Sequence, residues 1–175
     1  MKIACLGWGS LIWKPGTLPL ASDWYSDGPA LPVEFSRVSD KGELATVICL
    51  NAPSVQVYWA MLETDDLQLA VTALREREKI PANREDGIGM LRVQPSAQGN
   101  IAGWAAGHGI DALIWTALPP RFAGVEGMIP SAEEALDYLR SLGGDERAHA
   151  FDYLRQVPEQ LTTPYRRAFQ QHLDL

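Results

Sequence analysis

The chain has 175 residues, 46% of them hydrophobic and 21% charged, with a formal net charge of −7. This is an ordinary globular mix, which excludes a disordered chain and leads us to expect one domain spanning residues 1–175. The acidic balance argues against a nucleic-acid partner, because neutralising phosphates requires clustered Lys and Arg, and no such cluster occurs.

In chain order, Ile3 to Leu6 reads as a short buried strand ending at Gly7. Lys14 to Pro32, rich in Pro and Gly, reads as a surface loop. Val33 to Val38 and Leu44 to Leu50 are strands joined by the polar turn Ser39-Asp40-Lys41-Gly42. Val55 to Leu62 has the strongest strand character, with β-branched and aromatic residues throughout. Thr64-Asp65-Asp66 offers capping oxygens for a helix that runs to about Lys79, ahead of Pro81. Ile88 to Val93 and Ala112 to Leu118 are further strands, separated by a Gly-rich link from Gln98 to Gly109. Ser131 and Glu134 form a capping box, with Ala135, Leu136, Leu139 and Leu142 on one helical face. Glu146 to Gln156 and Pro164 to Leu173 read as the last helices.

Strands therefore dominate before residue 118 and helices after residue 130. That order predicts an α+β fold: a mostly antiparallel sheet, curled or closed into a small barrel, with helices packed on it. Cys5 and Cys49 lie in apolar runs and read as buried free thiols of a reducing compartment. Met1 to Leu6 is too short for a signal peptide, and no run approaches the ~18 apolar residues of a membrane helix. A cytoplasmic protein with no membrane partner is the expectation.

Two features carry chemistry. On the helix after Asp66, advancing ~100° per residue from Leu67 puts Val71 at about 40°, Leu74 at about −20° and Glu78 at about 20°. Glu78 thus falls within the apolar stripe, whereas Glu76 faces solvent. Two roles fit such a carboxylate: it bends to water or pairs with an Arg, or it is a general base whose proton affinity burial has raised.

The second feature is Gly7-Trp8-Gly9-Ser10 after a strand, where main-chain N–H groups can converge on an anion or an oxyanion. The dinucleotide fingerprint fails, since Ile12 stands where the third Gly belongs; a P-loop fails for want of Gly-Lys-Ser/Thr. A nucleophile elbow fails because Trp8 and Ile12 occupy its outer Gly positions. His108, His149 and His172 are scattered and predict no metal site. Trp8, Trp13 and Trp24 read as core or pocket wall.

Gly7-Trp8-Gly9-Ser10-Leu11-Ile12-Trp13-Lys14-Pro15-Gly16 resembles the signature of the gamma-glutamylcyclotransferase superfamily, particularly its ChaC-like branch. Phe35-Ser36-Arg37 with Ser39-Asp40-Lys41-Gly42, Arg77-Glu78-Lys79, Phe122-Ala123-Gly124 and Asp152-Tyr153-Leu154 resemble further segments in the same order. The resemblance implies release of 5-oxoproline from a small gamma-glutamyl substrate, glutathione among the candidates, without metal or organic cofactor. It implies Glu78 as acid/base, main-chain groups of Gly9, Ser10 and Leu11 as glutamyl holders, and Trp8, Arg37 and Tyr153 as further substrate-binding residues. Several positions depart from the pattern. Trp8 replaces a tyrosine, the segment after Arg37 is shortened, Ile80-Pro81 follows Lys79, and Thr162 to Leu175 match weakly.

The alternative from another class is a binding module that kept the pocket and lost turnover. A hydrolase or acyltransferase is disfavoured, because no Ser-His or Cys-His pairing is visible. Nothing in the sequence fixes an oligomeric state.

Overall fold

The contacts within the chain divide it into two compact units, and the computed structural model describes all residues 1–175. The first unit comprises Met1–Gly7, Leu11–Ala30 and Gln56–Leu118; the second comprises Trp8–Ser10, Leu31–Val55 and Pro119–Leu175. The fold is α+β, with mostly antiparallel strand pairs distributed over two mixed sheets. No helix is long and apolar enough to cross a membrane.

In the first unit, β1 (Ile3–Gly7) is buried at every position. It lies between β5 (Tyr58–Met61), antiparallel, and β7 (Ala112–Thr116), parallel, and β6 (Ile88–Arg92) closes the far edge against β7. A strand paired on both sides and covered on both faces must be apolar throughout, which is why Ile3 to Leu6 shows no alternation. Helix α1 (Leu67–Arg77) covers this sheet: Leu67, Ala70 and Leu74 join Ile3, Cys5, Leu11, Ala112 and Ile114 in one buried cluster.

Asp66 caps α1 by accepting from the N–H groups of Gln68 and Leu69 at 3.0 and 3.2 Å. The helix ends earlier than its pattern predicts. Glu78 is the C-cap, and Lys79 adopts a left-handed conformation with φ +56°. The N–H of Lys79 donates to Glu76 O at 3.1 Å and that of Ile80 to Arg75 O at 3.1 Å, a Schellman closure. The terminator is thus this backbone reversal, not Pro81. A left-handed residue with a Cβ is strained by roughly 1–2 kcal/mol, so exposed Lys79→Gly is expected to stabilise the fold by ~0.5–1 kcal/mol. The check is the urea midpoint, which should rise with unchanged slope.

The expected link from Gln98 to Gly109 contains a helix instead, α2 (Asn100–Gly107). Its glycines mask an Ala-rich stretch, and two long-range bonds hold it: Asn100 Nδ2 donates to Ala30 O at 2.6 Å and Trp104 Nε1 to Asp27 O at 2.9 Å. The long strand expected over Val55 to Leu62 is broken at Val57 into β4 (Ser54–Gln56) and β5, because the two pieces pair in different sheets.

In the second unit, β2 (Ala30–Val38) pairs with β3 (Leu44–Ile48) across the expected turn, where Gly42 supplies φ +91°. A β-bulge between Phe35 and Arg37 breaks the alternation, so Glu34, Phe35 and Ser36 are all buried. A short hairpin, β8 (Arg121–Phe122) and β9 (Val125–Glu126), extends the sheet; Ala123 and Gly124 make its tight turn with φ +51° and +76°. Sequence periodicity is blind to strands of two residues.

Helices α3 (Ala132–Ser141), α4 (Gly144–Gln156) and α5 (Pro164–His172) complete this unit. The capping box at Ser131 and Glu134 is present, and Ala135, Leu136 and Leu139 form the buried face. Glu34 is only 2% exposed; it accepts from the N–H of Phe35 at 3.1 Å and of Tyr165 at 3.4 Å, at the N-terminus of α5.

Burial raises the proton affinity of Glu34, and bonds from Thr163, Phe35 and Tyr165 only partly offset it. A carboxyl with a raised folded-state pKa binds protons more tightly when folded. Its favourable contribution is complete below its ordinary value of 4.5 and is lost as pH rises through the folded value. We therefore expect wild type to lose stability relative to Glu34→Gln as pH rises above that point, read from urea unfolding at several pH values. A constant gap would exclude this linkage.

Candidate functional site

The first unit carries the acid/base candidate. Glu78 follows the last turn of α1 with its side chain 18% exposed, as the helical phase predicts, while Glu76 is exposed. Two donors converge on one oxygen: Thr116 Oγ1, from the end of β7, at 3.2 Å, and Arg77 Nη1 at 3.4 Å. Oε2 accepts no hydrogen bond. Burial raises the proton affinity of Glu78; Arg77 and the Thr116 hydroxyl pull it down, with burial the larger effect.

Arg77 also fixes the second half of the glycine motif. Its Nε and Nη2 donate to Lys14 O at 3.1 and 2.5 Å. Leu11 is anchored in the core cluster with Leu74, one turn before Glu78. At the start of the motif, a Cβ on Gly7 would approach the Trp24 ring to 2.7 Å, so glycine is required for close packing.

Cys5 is fully buried near enough to be influenced by Glu78. Burial and that carboxylate both push its thiol well above the ordinary range, so it is held protonated. Cys5 and Cys49 are both buried free thiols.

The second unit carries the first half of the loop. Thr46 Oγ1 donates to Trp8 O at 2.7 Å, and Thr46 N–H donates to Tyr153 Oη at 3.0 Å. The Thr46 and Tyr153 hydroxyls are 3.0 Å apart; with the threonine proton given to Trp8 O, the tyrosine is the donor between them. A Cβ on Gly9 would lie 2.7 Å from both hydroxyl oxygens. Glycine at this position therefore lets the main chain settle onto a buried polar pair.

Trp8, Gly9 and Tyr153 are thus brought together, with Trp8 and Tyr153 each 5% exposed, and Ser10 is half-buried in the same loop. Arg37 has other partners. Its guanidinium makes a bidentate pair with Glu126 at 3.0 and 3.1 Å and donates to Pro119 O at 2.9 Å. A cavity of about 590 Å³ in this unit is lined by Val38, Phe122 and Tyr138 among others, and by none of the candidate site residues.

Sequence reasoning missed Thr46 and Thr116 and assigned no role to Arg77. The available signal was slight: each threonine is the polar member of an otherwise apolar strand. The histidines lie outside this chemistry. His108 stacks with Trp104 and bonds its carbonyl at 2.8 Å, and His149 lies 2.8 Å from Glu43.

The class defined so far is an α+β protein with a half-buried, raised carboxylate and a glycine loop whose halves are separately pinned. Compared with known proteins, the chain matches no family model and no curated protein.

Proposed function

We propose that this protein is a gamma-glutamyl cyclotransferase, with Glu78 as general acid/base. The observation that carries the reading is Glu78 itself: a half-buried carboxylate, raised by burial, with Oε1 held by two donors and Oε2 unbonded. The motif resemblance across the chain supports the same assignment.

In the proposed reaction the free α-amine of the gamma-glutamyl group attacks its own side-chain carbonyl carbon. A C–N bond forms and closes the five-membered lactam, 5-oxoproline, as the bond to the leaving amine breaks. Glu78 takes the proton from the attacking nitrogen and delivers it to the departing one, so the carboxylate is regenerated. The motif resemblance assigns the holding of the glutamyl moiety to main-chain N–H groups of Gly9, Ser10 and Leu11. The close packing that requires glycine at positions 7 and 9 supports a loop of defined shape.

The substrate is a gamma-glutamyl peptide or amine. Glutathione belongs in the panel, together with gamma-glutamyl amino acids and gamma-glutamyl amines, and the assay is release of 5-oxoproline. Turnover of at least one member is expected. No turnover of any member would overturn the reading, and saturable binding without turnover would favour the binding module, in line with the commitment of Arg37 to Glu126.

A further inference from the structure

We propose that Arg77 and Thr116 are the positioning residues of this centre: together they fix Oε1 of Glu78 and leave Oε2 as the oxygen that exchanges the proton. The proposal rests on the reading of Glu78 as acid/base. Its basis is geometric. A carboxylate at a helix C-cap, next to a left-handed residue, has no helical neighbour beyond it to hold its rotamer. Here the hold comes from two different directions. Thr116 reaches Oε1 from β7, a strand fixed by pairing with β1 and β6. Arg77 reaches the same oxygen from α1 while two of its other nitrogens are fixed on the Lys14 carbonyl.

Arg77 therefore links the tail of the glycine motif to the acid/base. A guanidinium that must satisfy Lys14 O and Glu78 Oε1 together has little freedom, and a lysine could not make both contacts in that geometry. Each donor also favours the charged carboxylate, opposing burial. Glu78 is thereby kept ionised enough to accept a proton but basic enough to retain it, the balance a general base requires.

The experiment is a pH titration of the Glu78 side-chain carboxyl by carbon NMR in the full-length protein. It compares wild type with Thr116→Val, Thr116→Ser and Arg77→Gln. We expect Thr116→Val and Arg77→Gln each to move the titration upward, by roughly one pH unit for the loss of the opposite charge and less for the loss of the hydroxyl. Thr116→Ser should restore the wild-type value, which a purely steric role for the methyl group would not produce.

Where 5-oxoproline release is measurable, the acid limb of kcat against pH should move by the same amount. An unchanged Glu78 titration in Thr116→Val overturns the proposal even if Arg77→Gln fails to fold. The carbon titration needs no turnover. Inactivity on every gamma-glutamyl compound with the predicted shifts present would therefore count against the reaction and not against the positioning.

Discussion

Glu78→Gln is expected to lower kcat for 5-oxoproline release by at least ~100-fold, the usual contribution of a general acid/base. Glutamine keeps the length of the side chain, and its amide oxygen can still accept from Thr116 and Arg77. What it cannot do is take a proton from the attacking amine and return it to the leaving one. KM should change little, since the glutamyl group is assigned to main-chain donors. The variant should also be at least as stable as wild type near neutral pH, because burial raises the proton affinity of Glu78 and its ionised form is costly there. A thermal melt measured beside kcat and KM thus separates lost chemistry from lost fold. Full activity in the folded variant would remove Glu78 from the mechanism. In wild type, kcat should rise with pH through a point above the ordinary carboxylate range, and that limb should vanish in any residual activity of the variant.

Arg166→Met is expected to have the largest effect on stability. Arg166 is 6% exposed and makes no bond to a carboxylate; it serves four carbonyls instead. Nη1 donates to Pro158 O at 2.5 Å and Leu161 O at 3.4 Å, and Nη2 donates to Val157 O at 2.6 Å and Leu154 O at 3.4 Å. Leu154 and Val157 lie at the C-terminus of α4, where carbonyls lack helical partners and the helix dipole is negative.

One guanidinium on α5 therefore closes the end of α4 and the turn that follows it. Burial lowers its proton affinity, with Glu159 acting in the opposite sense, yet an arginine remains charged. Methionine fills the volume and strands the carbonyls. Hydrogen bonds to a charged donor contribute ~1.5–3 kcal/mol each, and two of the four are short, so a loss of about 3–4 kcal/mol is expected. Urea unfolding measures it, and Arg166→Lys should recover part of the loss because an ammonium can reach some of these carbonyls. A loss below about 1 kcal/mol would mean that water replaces the guanidinium.

The helical phase of α1 made Glu78 legible, since a carboxylate at about 20° from the apolar reference has few places to go. The same periodicity could not find Arg166, which sits beside Arg167 in a polar run and is buried while its neighbour is exposed. Nor could it see Thr46 beneath Gly9 or Thr116 beside Glu78, because both contacts join positions far apart in the chain. Arg37, which the motif resemblance assigns to substrate, also has a partner that sequence could not show: its guanidinium is matched by Glu126, a residue 89 positions away.

By itself the sequence determined the element types wherever a period of two or 3.6 ran long enough: the buried first strand, the β2–β3 turn, α1 with its cap, and the capping box of α3. These are local properties, fixed by propensity, capping and burial of one face. Only the tertiary structure decided where α1 stops, that α2 exists, and that the Val55 to Leu62 run divides between two sheets. It also decided which oxygen of Glu78 is held. The existence of α2, the division of that run and the hold on Glu78 depend on partners distant in sequence, whose positions no local period encodes; the stop of α1 is a local left-handed reversal at Lys79, which periodicity does not read.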